Sequence, residues 1–152
     1  MNRTYPFYKK LFILLPFLVS PAGAVWGQAN LNITVTDIRS QKGHILYSLY
    51  KEERGFPDDP NQAYRRGKIP ANAKQVSLIV SDILPGYYAL SLIHDENGNN
   101  RLDKNKMGIP TEGFAFSNNV MGAFGPPKYM RARFLVKKDS DNTQSIRLRR
   151  FQ

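Results

Sequence analysis

The segment LPGYYALSLIHDENGNNRLD, residues 84–103, contains a turn, a strand and a polar loop in direct succession. Pro85 presets the backbone at the first central position of a turn and Gly86 accepts positive φ at the second, which predicts a type II turn. The largely apolar residues 87–93 then predict a strand, which would deliver His94 and the polar loop to its far end. The fold is therefore predicted to contain a candidate site where this strand ends.

Alternation of apolar and polar residues predicts strands on both sides of this segment. Leu31, Ile33 and Val35 alternate with polar residues, as expected of a half-buried strand. Further strands are predicted over residues 44–51, 75–83, 131–137 and 144–150, and residues 64–74 fit either a helical turn or a short edge strand. Short strands separated by turn residues predict an all-β fold, a small antiparallel β-sandwich of about seven strands.

The N-terminus has the pattern of an export signal. Residues 1–10 contain three basic residues and no acid, residues 11–19 are almost entirely apolar, and small residues lead up to Ala24. This pattern predicts a signal peptide over residues 1–24, cleaved after Ala24 or alternatively Ala29, and a periplasmic or extracellular protein. The alternative is an uncleaved N-terminal anchor, but the apolar run is shorter than the ~20 residues of a spanning helix. We expect no transmembrane anchor after cleavage.

The charge and cysteine content narrow the possible partners. The chain has 22 basic and 12 acidic residues, a net charge of +10, and no cysteine. Because no disulfide can form in an oxidising compartment, packing or bound ions must stabilise the fold. A cationic exported protein meets anionic envelope glycans or lipids more readily than nucleic acid. We therefore predict an anionic glycan or lipid partner and no nucleic acid.

The polar loop has oxygen-bearing residues at a spacing close to that of an EF-hand calcium loop. Because Lys106 occupies the position of the bidentate acid, the missing carboxylate would have to come from further along the chain. The candidate metal ligands are Asp95, Asn97, Asn99, the carbonyl of Arg101, Asp103 and Glu112. We expect weak calcium binding, on the order of 10⁻⁴ to 10⁻³ M. The alternative is a metal-free turn, which Asp, Asn and Gly form unaided.

An enzymatic function would centre on His94, Asp95 and Glu112, which are residue types used in acid–base chemistry. No nucleophile elbow and no zinc-protease motif accompanies them, so nothing in the sequence defines their mutual geometry. No catalytic residue is therefore assigned. An exported hydrolase acting on cell-wall or extracellular material is kept as the alternative function.

The last two predicted strands, residues 131–137 and 144–150, are expected to pair around the polar turn 139–142. Basic residues would then collect on one face of the pair, where an anionic ligand would relieve their repulsion. The candidate anion-binding residues are Arg131, Arg133, Arg147 and Arg149. The alternative is a solvated face that keeps the protein soluble.

The aromatic, glycine-rich segment 113–129 has two interpretations. It could be a ligand-binding loop in which Phe114, Phe116, Phe124 and Tyr129 line a pocket. It could also be a long connection whose aromatic residues pack over one end of the sandwich, and we favour this second interpretation.

A longer set of motifs resembles a bacterial family. The motifs are Leu84-Pro-Gly-Tyr-Tyr88, His94-Asp-Glu-Asn-Gly-Asn99, Leu102-Asp103, Gly108-Ile-Pro110, Glu112-Gly-Phe114, Phe116-Ser-Asn118 and Gly125-Pro-Pro127. Over residues 31–150 the chain resembles the bacterial domain-of-unknown-function family numbered 2141, with Asn100 and Ala115 where glycine is common. The resemblance implies a prealbumin-like sandwich and export, and it brings no established activity.

These observations together predict one prealbumin/immunoglobulin-like β-sandwich domain over residues 25–152. Its expected function is a binding or structural module of the cell envelope, with calcium as the only expected cofactor. The sequence does not indicate an oligomeric state.

Overall fold

A computed structural model of the chain describes Met1 and residues 28–151. Apart from Met1, the predicted signal peptide lies outside the described residues, as does the predicted cleavage site after Ala24. Within the described part of the chain, no helix is long and apolar enough to cross a membrane.

The described residues form eight strands and one short α-helix, together with two 3₁₀ turns. The strands are β1 (Ala29–Thr36), β2 (His44–Tyr50), β3 (Arg65–Pro70), β4 (Val76–Ile83), β5 (Gly86–Asp95), β6 (Gly113–Phe116), β7 (Phe134–Val136) and β8 (Asn142–Arg147). The helix is α1 (Tyr129–Ala132), and the 3₁₀ turns are Pro60–Gln62 and Ser117–Asn119. The predicted fold class, an all-β small sandwich, is confirmed.

The strands form two sheets. The first has the order β4-β1-β8, in which β1 runs antiparallel to β4 and parallel to β8. The second has the order β3-β2-β5-β6, and all its pairs are antiparallel. The short strand β7 pairs with the beginning of β5, and β6 pairs with the end of β5. Of the two alternatives for residues 64–74, a helical turn or a short edge strand, the structure has the edge strand, β3.

The core lies between the sheets and takes every second residue of β1 and most of β4, whereas β5 is buried on both faces. Leu31, Ile33 and Val35 of β1 are 0% exposed, and so are Leu90 and Leu92 of β5. Each such side chain contributes roughly 1.5–3 kcal/mol of transfer free energy when it is buried. The main cluster therefore joins the central strands of both sheets into one packed interior.

A second, smaller cluster covers one end of the five-stranded sheet. It consists of Tyr50, Ala89, Tyr129 and Ala132, with Phe56 packed against it. The Phe56 ring meets the rings of Tyr50 and Tyr129 edge-on at centroid distances of 5.5 and 5.9 Å. The Tyr129 hydroxyl donates to the backbone carbonyl of Lys51 at 2.7 Å. This cluster fixes the 52–60 loop against the sheet.

Two local expectations were wrong. The predicted pair of strands 131–137 and 144–150 does not form, because β7 belongs to the second sheet and β8 pairs with β1 in the first. Tyr129 and Ala132, three residues apart, share one face of a helical turn and are buried together, which a strand would not allow. The turn at Gly86 is also not type II, since its φ is +153° rather than about +80°. The chain there crosses from one sheet to the other instead of reversing within one.

Candidate functional site

The outer faces of the two sheets differ in chemistry. On the three-stranded sheet the outward side chains are short and polar apart from Ile79 and Arg147, and they include Asn32, Thr34, Ser77 and Ser145. On β2 of the five-stranded sheet, Leu46, Ser48 and Tyr50 alternate with the core residues and point outward. The outer face of the second sheet is therefore partly apolar, as expected of a covered or ligand-binding surface.

A groove of about 830 Å³ runs over this outer face. Its floor consists of two rows of side chains that follow the strand register from β3 to β6. The first row is Lys68, Leu46, Ile93 and Phe114, and the second is Arg66, Ser48, Ser91 and Phe116. Ligand pockets typically measure ~300–1,000 Å³ and combine apolar walls with a few convergent polar groups. The groove has this size and this composition.

Loops close the two ends of the groove. At one end lie Pro57, Asp58 and Pro60, and the Tyr50 hydroxyl donates to the Pro57 carbonyl at 3.1 Å. At the other end lie four residues that follow β5, namely Asn100, Arg101, Leu102 and Lys104. The loop at this second end is the one that the sequence marked as a metal candidate.

Cations outnumber acids around the groove. Arg66, Lys68, Arg101 and Lys104 line it, and Asp58 is the one acid among its lining residues. Arg66 donates to the Asn61 amide oxygen at 2.9 Å. The Nε atom of Arg101 lies 3.5 Å from the Oδ1 atom of Asp103. Within residues 28–151, neither Lys68 nor Lys104 has a carboxylate within 4.0 Å. The local field therefore favours an anionic ligand.

Asp95 organises the start of the 95–103 loop. Its side chain is 1% exposed, and its two oxygens accept three backbone N–H groups. The donors are Gly98 and Asn99 to Oδ1, at 2.8 and 3.1 Å, and Asn100 to Oδ2, at 2.9 Å. The Asn99 N–H is shared with the Asn97 Oδ1 atom, also at 3.1 Å, whereas among the described residues Asp95 alone accepts from Gly98 and Asn100. The Asp95 carboxylate therefore fixes the loop backbone.

Three side chains of the loop converge at its centre. The amide nitrogens of Asn97 and Asn99 donate to the two oxygens of Asp103 at 2.6 and 2.9 Å. The hydrogen bond from Asn99, followed by that from Asn97, holds the pKa of the Asp103 carboxyl below its ordinary value. The oxygen of Asn99 accepts the Arg101 N–H at 3.0 Å. The three side chains are brought together, with the two amide nitrogens toward Asp103 and the two amide oxygens toward the Asn99 and Arg101 N–H groups.

Glu112 contacts the same loop from β6's side. Its side chain is 5% exposed, with Oε1 accepting the Glu96 N–H at 2.9 Å and Oε2 accepting the Asp103 N–H at 3.1 Å. Both carboxylate oxygens therefore hold loop backbone in this geometry.

The arrangement fits a weak oxygen-ligand site at most. Within the described residues, no three His, Cys, Asp or Glu side chains converge as a metal-binding group. Asp103 supplies one carboxylate beside two amide side chains, and calcium in proteins takes six to eight oxygens. Calcium ligation by all six candidates stays a prediction, namely Asp95, Asn97, Asn99, the carbonyl of Arg101, Asp103 and Glu112.

The three residues of the enzymatic alternative make contacts within the protein. His94 is 2% exposed, and its Nε2 atom donates to the Lys42 carbonyl at 2.9 Å. Its Nδ1 atom lies 3.9 Å from Glu96, whose carboxylate also pairs with Arg150. Since Asp95 and Glu112 hold backbone amides, this geometry presents none of the three to a substrate.

The four candidate anion-binding arginines lie on different elements. Arg131 is on α1 and Arg133 follows it, whereas Arg147 ends β8 and Arg149 lies beyond it. Arg133 stacks over the Tyr87 ring at 4.6 Å, and the Arg147 Nε atom lies 3.8 Å from Asp37. The shared sheet face on which their prediction depended is absent, so anion binding by these residues stays a prediction without that support.

Comparison with known proteins gives one result. Residues 33–144 match the bacterial family described as an uncharacterized protein conserved in bacteria (DUF2141). The chain belongs to this family. No curated protein and no solved structure matches this chain. The region shared with the DUF2141 family includes the whole groove and the 95–103 loop, and it ends before Arg147.

Sequence reasoning missed the groove, although β2 contained a signal for it. The run HILYSLY is apolar on both faces, since Leu46 and Tyr50 face away from the core residues Ile45 and Leu49. A strand with apolar residues on both faces indicates that both faces are covered. Of the four aromatic residues considered for a pocket, Phe114 and Phe116 line the groove, Tyr129 is buried in the second cluster, and Phe124 is exposed.

Proposed function

We propose that the protein is an exported, non-enzymatic binding module of the cell envelope whose ligand lies in the groove on the outer face of the five-stranded sheet. The observation that carries the proposal is the groove itself, a partly apolar floor of suitable size bordered by four cationic side chains. The outer face of the three-stranded sheet is mostly polar. The partly apolar outer face of the five-stranded sheet is therefore a specific feature of one side of the domain, which supports a binding role for that side.

A non-catalytic role agrees with the contacts of the chemically capable residues. His94, Asp95 and Glu112 are buried and hold loop and strand backbone. Rigid support of this kind preorganises a binding site, because the loop that ends the groove keeps its shape before the ligand arrives.

Calcium belongs to the proposal as a stabiliser of the 95–103 loop. Asn97, Asn99 and Asp103 would hold the ion, and its charge would offset the repulsion among their oxygen atoms. Arg101 and Leu102 of this loop line the groove, so an ion that orders the loop would also strengthen ligand binding.

The groove is tested with the fluorescent probe anilinonaphthalene sulfonate, which combines an apolar body with an anionic group. We expect one probe molecule to bind saturably to the protein. Near-ultraviolet circular dichroism checks that the protein is folded in each measurement. Ser48→Phe fills the floor of the groove and should abolish the fluorescence increase. The matched control is Ser77→Phe on the outer face of the other sheet, where Ser77 is exposed and opposite Thr34.

Two results would contradict the proposal. One is the absence of saturable probe binding to the folded protein. The other is equal binding to the Ser48→Phe and Ser77→Phe variants, because the probe would then lie elsewhere.

Export is tested separately by cell fractionation. The full chain should be recovered outside the cytoplasm in a form shortened by 24 residues, as the pattern that ends at Ala24 predicts. Removal of residues 2–24 should leave the protein in the cytoplasm. Export that persists without those residues would disprove the signal-peptide assignment.

A further inference from the structure

The groove is divided into an apolar side and a cationic side. Phe114 and Phe116 lie at the β6 edge, and Leu46 and Ile93 occupy adjacent positions on the central strands. Arg66 and Lys68 lie at the opposite edge, on β3. Because the rows follow the strand register, the side chains change from apolar to cationic along a direction perpendicular to the strands.

The strand register also places two lysines at the same end of the groove. Lys68 is opposite Leu46, two residues from His44, and His44 is opposite Asp95, where the loop leaves β5. Lys104 belongs to the segment that follows this loop and lines the same end. The end where the loop leaves β5 therefore contains two lysines that have no carboxylate partner within residues 28–151.

We infer that the ligand is a single-chain organic anion, a monomeric long-chain carboxylate, whose head group contacts Lys68 and Lys104 and whose chain crosses β2 and β5 toward Phe114. This inference rests on the proposed function. Adjacent strands lie ~4.8 Å apart, so the three steps from β3 to β6 span roughly 14 Å. Because ~1.5 Å carbon–carbon bonds meet at about 111°, an extended chain advances about 1.25 Å per bond, and a chain of about 12 carbon atoms covers this width.

The exposed part of the floor favours an alkyl chain over a sugar. Leu46, Ile93 and Leu102 are partly exposed aliphatic residues, whereas Phe114 and Phe116 are each only 6% exposed. Sugar rings need flat exposed surfaces and many hydrogen-bond partners. Between the cationic residues of β3 and the phenylalanines of β6, the floor offers mainly the Ser48 hydroxyl as an accessible polar group. An alkyl chain needs only apolar area, which the aliphatic residues supply.

The test measures binding of dodecanoate, dodecanol and butyrate to the purified protein by calorimetry, below the concentration at which dodecanoate forms micelles. We expect dodecanoate to bind one site and to displace anilinonaphthalene sulfonate. Dodecanol lacks the charge and butyrate lacks the chain, so each should bind at least about tenfold more weakly.

Charge reversal separates a head-group contact from a general loss of structure. In the Lys68→Glu, Lys104→Glu double variant, dodecanoate should bind about tenfold more weakly while dodecanol binding is unchanged, because only the carboxylate meets the reversed charges. The Lys74→Glu, Lys137→Glu double variant is the control for net charge, since it also changes the charge by four units and both lysines are exposed and do not line the groove.

The chain contact is tested by Ile93→Ser, which removes apolar floor and should weaken dodecanoate and dodecanol together by about tenfold. The matched control is Ile79→Ser, on the outer face of the other sheet, where the side chain is 62% exposed. Ile79→Ser should leave the affinity for both ligands unchanged.

Four results would overturn the inference. They are equal binding of dodecanol and dodecanoate, equal binding of butyrate and dodecanoate, displacement of the probe by a sulfated glycan but not by dodecanoate, and association only with phosphatidylglycerol vesicles. In the last two cases, sensitivity to Ser48→Phe would still support a binding groove, so the proposed function would stand while the ligand class fell. Absence of saturable probe binding to the folded wild-type protein would contradict both the proposed function and the inferred ligand class.

Discussion

Glu112 and Asp103 are joined by a hydrogen bond of 3.1 Å between the Oε2 atom of Glu112 and the backbone N–H of Asp103. The other carboxylate oxygen, Oε1, accepts the Glu96 N–H at 2.9 Å, so one buried side chain fastens both ends of the loop. Glu112→Gln would place an amide nitrogen against one of these N–H groups. We expect the free energy of unfolding to fall by about 1–3 kcal/mol, as for an unsatisfied buried donor, measured by urea denaturation.

The control for this change is Glu53→Gln, at an exposed position outside the loop, which should alter stability by less than about 0.5 kcal/mol. An equally stable Glu112→Gln variant would show that solvent replaces the lost acceptor and that Glu112 does not hold the loop.

Calcium should raise the melting temperature if the 95–103 loop binds it. At 100 times the dissociation constant, a ligand that binds only the folded state adds about 2.7 kcal/mol, which corresponds to several degrees. Thermal unfolding of the purified protein is measured in EDTA and then with up to about 10 mM calcium or magnesium, which is about 100 times a dissociation constant of 10⁻⁴ M. For a dissociation constant of about 10⁻³ M, the same concentration adds about 1.4 kcal/mol.

The matched variants are Asp103→Asn, which removes the carboxylate where Asn97 and Asn99 converge, and Asp58→Asn at the opposite end of the groove. The calcium response should disappear only in Asp103→Asn. A melting temperature that calcium leaves unchanged would identify the loop as a metal-free turn, held by the contacts of Asp95 and Glu112.

Part of the fold could be predicted from local alternation, because β1 and most of β4 bury every second residue, whereas β5 is buried on both faces. Leu31, Ile33 and Val35 show this pattern without interruption, and all three are fully buried. The segment 129–136 shows why alternation alone predicts the wrong element in part of the chain. Ala132, Phe134 and Val136 alternate as a strand would, but Tyr129 and Ala132 also fit one helical turn, and contact with the second cluster decides between the two.

The candidate site could be predicted only in part, for a similar reason. The 95–103 loop is continuous in sequence, so the spacing of its ligands was visible and its side chains do converge on Asp103. The groove takes residues from four strands. Lys68 and Ile93 fall in the same row only because both are opposite Leu46 of β2. Pairing between distant segments of this kind has no signature in a single local pattern.

Alanine at Gly43 and at Gly98 should have very different effects on stability. Both glycines have positive φ, +69° and +80°, so each substitution strains the backbone by about 1–2 kcal/mol. At Gly43, however, the new methyl group would overlap the backbone carbonyl of Asp95, whereas nothing lies within 4 Å of it at Gly98. Gly43→Ala should therefore cost at least about 2 kcal/mol more than Gly98→Ala in urea denaturation.

The reason for the larger cost at Gly43 is that the clash involves the paired ends of β2 and β5, where backbone cannot move without breaking the sheet. Gly98→Ala serves as the control for φ strain alone. Similar losses in the two variants would mean that the backbone near Asp95 shifts freely, and the rigid junction between β5 and the loop would have to be given up.

Tyr88 should make the protein less stable in alkali. Burial raises its pKa to about 12, and its hydroxyl donates to the Leu84 carbonyl at 2.7 Å. In the unfolded chain a tyrosine has a pKa of about 10, so the folded state keeps the proton more tightly. The stability that this difference provides is complete below about pH 10 and is lost as the pH rises toward the folded pKa.

The measurement is the free energy of unfolding between about pH 8 and 12, with tyrosinate followed by ultraviolet absorbance. Tyr88→Phe should lose about 1 kcal/mol at neutral pH through the missing hydrogen bond, and its stability should then decrease less steeply with pH than that of the wild type. Burial also raises the pKa values of Tyr50 and Tyr129, so some decrease should remain in the variant. Identical slopes for Tyr88→Phe and the wild type would show that the Tyr88 hydroxyl ionises without unfolding the sheet.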